Sequence, residues 1–431
     1  MYFLYIDPGT GSMLFSILIG ITATLYFVLR MLFIRIKIFL SGDHTSSLKN
    51  SSLNRYIIYA EEKRYWNLFK PIVDEFEKRM VSLLYLTSSQ DDPVFTFKYQ
   101  YIKAEFIGKE NRAFARLNLI SADIILMTTP GLDVYQLKRS KSVRHYCHIL
   151  HAPSDASLYR LFGLDYFDSV LLTGDYQAKD IRTLETQRFI KTKELVTVGC
   201  PYLDVYAEKI KGLVSQNETA AKTGEFTILV SPSWGPSAIL SKYGRKFLEP
   251  LIETGWNIII RPHPQSKISE KDMLDRLTEE YKDHKNLIWD YERDNIFSLL
   301  KADVMISDFS GVIFDYAFLC DKPVLYINQD IDLRPYDAYD ICLTKNGKID
   351  LRKLWQFRAV EDFGIELGEK MFGSIGSLIK KLSDNNNLAI ARQKAKDEAW
   401  MYRGEAGKRI VDFMIRISEG NYKEVDHANL R

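Results

Sequence analysis

The chain has 431 residues, of which 46% are hydrophobic, and this is enough apolar material for more than one buried core. Its formal net charge is only +2, so composition gives no electrostatic argument for a nucleic-acid partner. The four cysteines lie far apart without a CxxC pair, which argues against a zinc site or a disulfide framework and favours a reducing compartment.

The first 40 residues predict a membrane anchor. No residue from Pro8 to Leu29 is charged, and a helix over Ser12–Leu29 would span roughly 27 Å, about one bilayer core. Basic residues follow at once, at Arg30, Arg35 and Lys37. The positive-inside rule then places the remaining chain in the cytoplasm. The alternatives are a cleaved signal peptide, which needs basic residues before its apolar segment, and a buried helix of a soluble domain.

After a polar, serine-rich linker at residues 41–54, predicted strands and helices alternate. The strands are Tyr56–Tyr59, Val81–Leu86, Tyr101–Ile107, Ile124–Met127, His145–Leu150, Ser169–Leu172 and Leu195–Val198. The helices are Trp66–Arg79, Asn111–Leu119 and Tyr176–Leu184. This succession of βα units predicts a mostly parallel sheet with helices on both faces.

A second polar segment at 207–224 predicts a helix followed by a linker between the domains, after which the same alternation resumes. The strands are Phe226–Val230, Trp256–Ile260, Leu287–Ile288, Val304–Ser307 and Val324–Ile327. The helices are Ser237–Glu253, Glu270–Tyr281, Ile296–Lys301, Val312–Phe318, Glu369–Leu382 and Leu388–Met414. The chain is therefore predicted to be an α/β protein with two Rossmann-like domains, at 55–206 and 225–385, followed by C-terminal helices at 386–431. Ligands of such sheets bind beyond the carboxyl ends of the strands, here in a cleft between the halves.

The turn from Asp308 to Gly311 is the first candidate site, because it joins the strand Val304–Ser307 to a helix. Ser310 and Gly311 lie where the helix begins, and a helix N-terminus offers free N–H groups and a positive dipole end to a phosphate. The alternative is that Asp308 and Ser310 only cap the helix.

His263 is the second candidate, since it follows the predicted strand Trp256–Ile260 within the segment Arg-Pro-His-Pro. The flanking prolines stiffen this loop, and the neighbouring Arg261 favours a role in handling an anion. A histidine in a loop can also be an ordinary surface residue.

His151 ends the strand His145–Leu150 in the first half. Strand alternation places His145 and His148 on opposite faces of the sheet, where both are expected to be core residues. His151 and His263, one from each half, are predicted to face each other across the cleft.

The turn Ser231–Gly235 ends the first strand of the second half, and its backbone near Ser233 is either a ligand contact or an ordinary βα turn. Asp315 is either packed against a neighbouring element or the partner of a ligand hydroxyl. No carboxylate pair has metal-ligand spacing, so no tightly bound catalytic metal is expected.

Five segments in this order resemble one enzyme family. They read GCPYLD (Gly199–Asp204), VSPSW (Val230–Trp234), IIIRPHP (Ile258–Pro264), ISDFSGVIFDYAFLCDKPVLY (Ile306–Tyr326) and GEAGKRIVDFM (Gly404–Met414). The set is similar to the CDP-glycerol:glycerophosphate glycerophosphotransferases, the teichoic-acid primases and polymerases of bacterial envelopes. The resemblance implies a GT-B fold and transfer of a phospho-alditol from a CDP-alditol to an acceptor hydroxyl, with release of CMP and no separate cofactor.

The resemblance also assigns roles to residues. The two working histidines of the family match His151 and His263, and its serine-rich pyrophosphate turn matches Ser307, Asp308 and Ser310. A histidine titrates in the useful range for taking a proton from an acceptor hydroxyl, and we assign this role to His151. The further donor-binding residues are expected to be Arg261, Gly311 and Ser233. The chain departs from the family pattern at Ala152–Pro153, usually Gly-Thr, and at Ser233–Gly235, often Thr-Trp-Arg.

The resemblance implies that the first domain serves the acceptor, a lipid-linked or polymeric one, and that the second binds the nucleotide donor. With the anchor, it predicts a single-pass membrane protein whose catalytic domains are cytoplasmic. Two alternatives stay open at this point, a sugar-nucleotide glycosyltransferase of the same fold and a catalytically silent scaffold. The sequence leaves the alditol, the acceptor and the number of units added undetermined.

Overall fold

The structure is a computed structural model that describes residues 55–215 and 225–420, except 293, 309, 328–330 and 384, together with residues 17, 19–22 and 24–30. The chain forms two compact units, Met1–Ser52 and Leu53–Arg431. Both predicted Rossmann-like halves lie in the second unit, and the exact domain boundaries stay predictions.

In the first unit, the described residues between 17 and 30 are helical. Among all described residues, no helix has both the length and the apolar character needed to cross a bilayer. The rest of the predicted anchor and the linker at 41–54 lie outside the described residues, as does 216–224 of the second linker. The predicted transmembrane helix is therefore not supported by the structure.

The first sheet of the second unit is built from residues 56–197. Within the described chain its strands are β1 (Tyr56–Ala60), β2 (Leu83–Thr87), β3 (Ile102–Phe106), β4 (Ser121–Met127), β5 (Ser142–Ile149), β6 (Ser169–Leu172) and β7 (Glu194–Thr197). They are all parallel, in the order β3-β2-β1-β4-β5-β6-β7. The order reverses between β1 and β4, and this is the point of a doubly wound sheet where ligands bind.

The second sheet repeats this topology. Its described strands are β8 (Thr227–Val230), β9 (Asn257–Ile260), β10 (Leu287–Trp289), β11 (Val304–Ser307), β12 (Val324–Tyr326) and β13 (Gly364–Glu366). They too are parallel, in the order β10-β9-β8-β11-β12-β13. Here the reversal lies between β8 and β11. The predicted pair of Rossmann-like halves is confirmed.

Helices cover the faces of the two sheets. The described α-helices of this unit are α1 (Trp66–Lys78), α2 (Asn111–Leu117), α3 (Gln177–Arg188), α4 (Pro201–Ser215), α5 (Ile239–Tyr243), α6 (Arg245–Ile252), α7 (Ser266–Ser269), α8 (Lys271–Glu280), α9 (Ile296–Lys301), α10 (Val312–Cys320), α11 (Ala338–Cys342), α12 (Trp355–Phe363), α13 (Ile375–Ser383), α14 (Asn386–Ala399) and α15 (Ala406–Ser418).

Strand alternation explains why both faces of the second sheet are covered. In β8, Ile228 and Val230 join one hydrophobic cluster with α5, α6, α8 and α13, while Leu229 joins the opposite cluster with α10, α12 and α14. Successive side chains of a strand point to opposite faces, so a continuous apolar strand must be buried on both sides.

The chain returns to the first sheet at its end. Residues of α15, including Ile410 and Met414, share a hydrophobic cluster with α1 and with strands of the first sheet. Gly407 allows this approach, since a Cβ there would lie 2.6 Å from the Pro71 carbonyl oxygen. The C-terminal helices are therefore part of both halves.

Two predicted helices are divided in the structure, and one observed strand was not predicted. The helix predicted over Ser237–Glu253 breaks into α5 and α6 at Gly244, whose φ of +45° interrupts the helical backbone. The helix predicted over Leu388–Met414 is two helices, α14 and α15, and β13 was not predicted. β13 has three residues with the pattern buried, intermediate, exposed, and such a short edge strand has no distinct sequence period.

Candidate active site

The carboxyl ends of β1, β4 and β5 enclose a cavity of about 710 Å³, which we call the first-half cavity. Its lining includes Glu61, Thr128, Thr129, His151 and Tyr159. Tyr59 of β1 lies opposite Met127 of β4, which lies opposite His148 of β5, so the three strands end level with one another. The cavity thus occupies the reversal point of the first sheet.

Two hydroxyl groups hold His151 through the same ring nitrogen. Its Nδ1 lies 3.2 Å from Thr128 Oγ1 and 3.1 Å from the Tyr159 hydroxyl oxygen. The ring also meets Tyr65 edge-on at 5.5 Å between centroids. These contacts fix the ring orientation and leave Nε2 as the nitrogen available to a ligand.

The Tyr159 hydroxyl also lies 3.1 Å from Nε2 of the buried His148. A hydroxyl has one proton, so it can donate to only one of these two histidines. Burial lowers the pKa of His148 to about 3, so its ring is neutral. If His148 carries its proton on Nδ1, Tyr159 donates to its Nε2 and accepts from Nδ1–H of His151. In that tautomer, Nε2 of His151 has a free lone pair, as a general base requires.

His263 is held differently. Its Nδ1 accepts a hydrogen bond of 3.1 Å from the backbone N–H of Gln265, so the neutral ring carries its proton on Nε2. The indole of Trp234 lies 6.4 Å away between ring centroids, tilted by 30°. His263 can therefore donate a hydrogen bond from Nε2, whereas His151 can accept one.

Arg64 connects the two histidines electrostatically. Burial lowers the pKa of His151 to about 4 and also lowers that of His263, and in both cases the positive charge of Arg64 is the second cause. Both rings are therefore neutral at neutral pH. The exposed guanidinium of Arg64 forms an ion pair of 3.0 Å with Glu62. The sequence analysis did not identify Arg64. Its importance depends on tertiary structure, because Arg64 follows β1 while its charge acts on His151 after β5 and on His263 after β9.

Arg261 is engaged within the fold. It forms an ion pair of 2.6 Å with Asp290, and a second guanidinium nitrogen donates to the Glu292 carbonyl at 2.6 Å. Both side chains of the pair are mostly buried. These contacts hold the loop that carries His263, so the observed role of Arg261 is to position this loop. Its predicted contact with the donor stays a prediction.

Ser307 and Asp308 connect the loops that follow β8 and β11. Ser307 Oγ donates to the Ser231 carbonyl at 2.5 Å, and Asp308 accepts from the backbone N–H groups of Ser233 at 2.7 Å and Ile239 at 3.0 Å. Both Ser307 and Asp308 are buried. The structure thus brings the two predicted site residues Ser233 and Asp308 together. The Asp308 carboxylate holds the loop of Ser233 through its backbone N–H.

The N-terminus of α10 is the more open part of this predicted site. Ser310 and Gly311 line a cavity of about 40 Å³ together with Asp308 and Gln356. The N-cap residue Gly311 gives no side-chain cap, and a Cβ at Gly311 would meet no atom within 4 Å. Both carboxylate oxygens of Asp308 accept from the segment after β8, one from the N–H of Ser233 and one from the N–H of Ile239 at the start of α5.

Asp155 ties the His151 loop to the second half. Its two carboxylate oxygens accept from the backbone N–H groups of Trp355 at 2.9 Å and Gln356 at 2.8 Å, at the start of α12. Asp155 thus stabilises the N-terminus of a helix that belongs to the other sheet. Since Gln356 lines the cavity at α10, this contact sets the position of His151 relative to that cavity.

Two further carboxylates lie near the histidines without having been predicted. Glu61 accepts a hydrogen bond of 3.0 Å from Thr129 Oγ1 in the first-half cavity. Glu270 accepts from the Gly235 backbone N–H, and its charge acts to raise the pKa of His263. Neither belongs to a recognisable motif, so only their tertiary positions reveal them.

The remaining predicted residues belong to the fold. His145 and His148 are buried, as expected. Asp315 accepts a hydrogen bond of 3.1 Å from the Tyr202 hydroxyl, which confirms the reading of Asp315 as packed on a neighbouring element, and burial raises its pKa to about 7.

Two of the five family segments also support the fold. In GCPYLD, Gly199 has a φ of +96°, and a Cβ there would lie 2.4 Å from the Met401 carbonyl oxygen. Asp204 accepts from Trp400 Nε1 and from the Gly404 N–H, both at 2.8 Å. The first segment therefore packs against the start of GEAGKRIVDFM.

Comparisons with known proteins agree with this architecture. Residues 176–339 match the family model described as CDP-Glycerol:Poly(glycerophosphate) glycerophosphotransferase. No curated protein matches the chain.

Solved structures share the fold. The wall teichoic acid polymerase TagF superposes with a TM-score of 0.58 at 17% identity, over 92% of this chain and 97% of its own. A putative UDP-N-acetylglucosamine 2-epimerase from Listeria monocytogenes has a TM-score of 0.54 at 15% identity, over 85% and 97%. The UDP-GlcNAc 2-epimerase from Neisseria meningitidis has a TM-score of 0.52 at 14% identity, over 84% and 99%.

The epimerase structures have the same fold, so the fold alone does not separate the two enzyme classes, and the match over residues 176–339 is what favours the glycerophosphotransferases. That segment contains His263, Ser233 and the whole Asp308–Gly311 turn. The predicted resemblance is therefore confirmed, and the family match supports a glycerophosphotransferase enzyme of the CDP-glycerol:poly(glycerophosphate) type.

Proposed function

We propose that this chain transfers a phospho-alditol, with glycerol phosphate as the first choice, from a CDP-alditol to an acceptor hydroxyl in the synthesis of a teichoic-acid-like envelope polymer. The observation that carries the proposal is the pair of neutral histidines at the ends of the two sheets. In this proposal His151 presents a basic nitrogen and His263 presents an N–H donor. The positive charge of Arg64 lowers the pKa of both histidines. The family match supplies the donor class.

The reaction follows from these groups. The acceptor oxygen attacks the phosphorus that carries the alditol, and its proton passes to Nε2 of His151. The bond between that phosphorus and the bridging oxygen of the diphosphate breaks, and CMP leaves with the bond's electrons. His263 donates from Nε2 to a phosphoryl oxygen, and the N-terminus of α10 at Ser310 and Gly311 meets the negative charge. No carboxylate pair has metal-ligand spacing, so we expect no tightly bound catalytic metal and activity that persists in EDTA.

Donor screening tests the proposal directly. The purified chain is incubated with CDP-glycerol, CDP-ribitol and a UDP-sugar, with an acceptor present, and the released nucleotide is identified. CMP from a CDP-alditol supports the proposal, and its release must be lost in His151→Ala. UDP release would favour a sugar-nucleotide enzyme, the alternative that the shared fold with the two epimerases keeps open. No release from any donor would favour a silent scaffold.

We further propose that residues 1–40 hold the enzyme at the membrane with residues 41–431 in the cytoplasm. The uncharged segment Pro8–Leu29 and the basic residues after it support this orientation. Deleting residues 1–40 should preserve turnover of a soluble acceptor analogue and reduce turnover of an acceptor embedded in vesicles. Protease added outside intact cells should spare the catalytic domains, and digestion from that side would contradict the topology.

A further inference from the structure

The first-half cavity contains a carboxylate, Glu61, that the proposed reaction does not use. We propose that Glu61 is a specificity-determining residue that binds the acceptor hydroxyl next to the one that reacts at His151. This inference rests on the proposed function and adds to it a residue that selects acceptors with neighbouring hydroxyl groups.

Two consecutive threonines at the end of β4 hold Glu61 and His151 on either side. Thr128 contacts His151 Nδ1 at 3.2 Å, and Thr129 donates to Glu61 Oε2 at 3.0 Å. Glu61 follows β1 and His151 follows β5, and these strands are the two neighbours of β4. The base and the carboxylate are therefore fixed side by side along one edge of the sheet.

The other carboxylate oxygen of Glu61 has capacity for a ligand. Within the part of the chain that the structure describes, Oε1 makes no hydrogen bond, and the residue is only partly buried. A carboxylate oxygen accepts hydrogen bonds from hydroxyl groups more strongly than a neutral acceptor does. The hydroxyl next to the reacting one, on the adjacent carbon of an alditol or sugar, is a suitable donor for it.

The charge of the cavity fits a polyol better than a bare phosphate. Its described lining contains Arg64 and Arg160 but also Glu61 and Glu62, so the formal charges balance. The aromatic rings of Tyr65, Phe114 and Tyr135 contribute apolar walls of the kind that stack on the carbon skeleton of a sugar or alditol. A phosphodiester further along the acceptor can still reach the arginines.

Acceptor analogues that differ by one hydroxyl test the proposal. One alkyl phosphodiester ends in glycerol, a second ends in 3-hydroxypropyl and so lacks the neighbouring hydroxyl, and a third ends in glucose. The wild-type chain should have a kcat/KM at least tenfold higher for the glycerol or glucose acceptor than for the hydroxypropyl one, because the latter leaves the Glu61 carboxylate without its hydrogen bond.

Glu61→Gln removes the charge but keeps an amide oxygen for Thr129. The preference for the neighbouring hydroxyl should fall to within about threefold, while the kcat/KM for the hydroxypropyl acceptor changes little. Glu105→Gln, a half-buried glutamate on the edge strand β3, is the matched control and should keep the wild-type preference. An unchanged preference in Glu61→Gln would overturn the inference, and so would a wild-type chain that uses the hydroxypropyl acceptor equally well.

The outcomes separate this inference from the proposed function. If the wild-type chain releases no CMP from CDP-glycerol with any acceptor, both fail. If it releases CMP and Glu61→Gln keeps the preference, only the inference fails. A second test uses only the wild-type chain, so its result does not depend on whether a variant folds. Free glycerol should inhibit transfer at least fivefold more strongly than propane-1,3-diol. Equal inhibition by the two compounds would contradict a site for neighbouring hydroxyls.

Discussion

The two histidines follow strands on opposite sides of the reversal points of their sheets, His151 after β5 and His263 after β9, and the chain holds them in different ways. His151 is fixed by side chains, with Thr128 and Tyr159 on Nδ1, beside a cavity of about 710 Å³. His263 is fixed by the backbone N–H of Gln265, in a loop that the Arg261–Asp290 ion pair holds. The neutral ring offers a lone pair in the first half and an N–H in the second.

The proposed reaction accounts for this difference. Its base would be a neutral imidazole with the basic nitrogen outward, and the hydroxyl contacts of Tyr159 and Thr128 can hold His151 in that form. Its diphosphate would need hydrogen-bond donors and a positive dipole, and His263 and the N-terminus of α10 can supply those. The same doubly wound topology thus supports two different chemical tasks, because the loops differ and the strands do not.

The largest expected effect comes from removing the histidines themselves. His151→Ala and His263→Ala should each lower kcat/KM at least a hundredfold, the usual scale for losing acid–base or anion-stabilising help. His151→Ala should leave the dissociation constant of CDP-glycerol within about threefold of wild type, whereas His263→Ala should raise it about tenfold. Steady-state kinetics and calorimetry measure both quantities.

His284→Ala is the control for both variants, since His284 is exposed and precedes β10. It should keep wild-type kinetics. Equal effects of His151→Ala and His263→Ala on donor affinity would contradict the proposal that only the second half binds the donor.

Gly311→Ala tests the anion site at α10. A Cβ there meets no protein atom within 4 Å, so the variant should keep its melting temperature or gain slightly in stability. A diphosphate lying against the backbone of this turn would be displaced, and donor affinity should fall about tenfold.

Gly373→Ala is matched to this variant, because its Cβ also meets no atom within 4 Å and it lies in the turn before α13. Its donor affinity should equal that of wild type. If Gly311→Ala also bound CDP-glycerol normally, the phosphate would have to sit elsewhere.

Tyr159→Phe tests the hydroxyl network of the first half. Without the hydroxyl, Nδ1 of His151 keeps only Thr128, and the tautomer with its lone pair on Nε2 is less favoured. We expect kcat to fall about tenfold with donor affinity unchanged, and stability to fall by about 1 kcal/mol.

Tyr166→Phe, at an exposed tyrosine in the same half, serves as control. A drop in stability without a drop in kcat would show that Tyr159 only supports the fold.

The smallest effect concerns pH. His151 acts as a base only when neutral, and its pKa is lowered from 6.5 to about 4 by burial and by Arg64. The acid limb of kcat/KM, which reports the free enzyme, should therefore lie near pH 4, with activity flat above it. Bound diphosphate offsets the charge of Arg64 and raises the pKa, so the acid limb of kcat should lie at higher pH.

Arg64→Gln removes the same charge without a ligand. It should move the acid limb of kcat/KM upward, while Arg276→Gln, on the exposed face of α8, should not. An acid limb near pH 6.5 in the free wild-type enzyme would place the base on a different group.

The sequence alone determined the elements and the positions of the loops. Continuous apolar runs such as Val304–Ser307 and Ser169–Leu172 match the observed strands residue for residue, because a strand buried on both faces has a pattern that no surface segment shares. Residues that follow such strands directly, such as His151, His263 and Ser310, lie at strand ends regardless of topology. The sequence could therefore place these candidates at one edge of each sheet.

Only the tertiary structure decided which strand ends meet. The reversals between β1 and β4 and between β8 and β11 bring Glu61 beside Thr129 and Asp308 beside Ser233, across 68 and 75 residues of chain. The structure also separated engaged groups from open ones. Arg261 pairs with Asp290 and Ser307 donates to the Ser231 carbonyl, whereas a Cβ at Gly311 would meet no atom within 4 Å. Strand order and hydrogen-bond partners depend on long-range contacts, and no local period of the sequence encodes them.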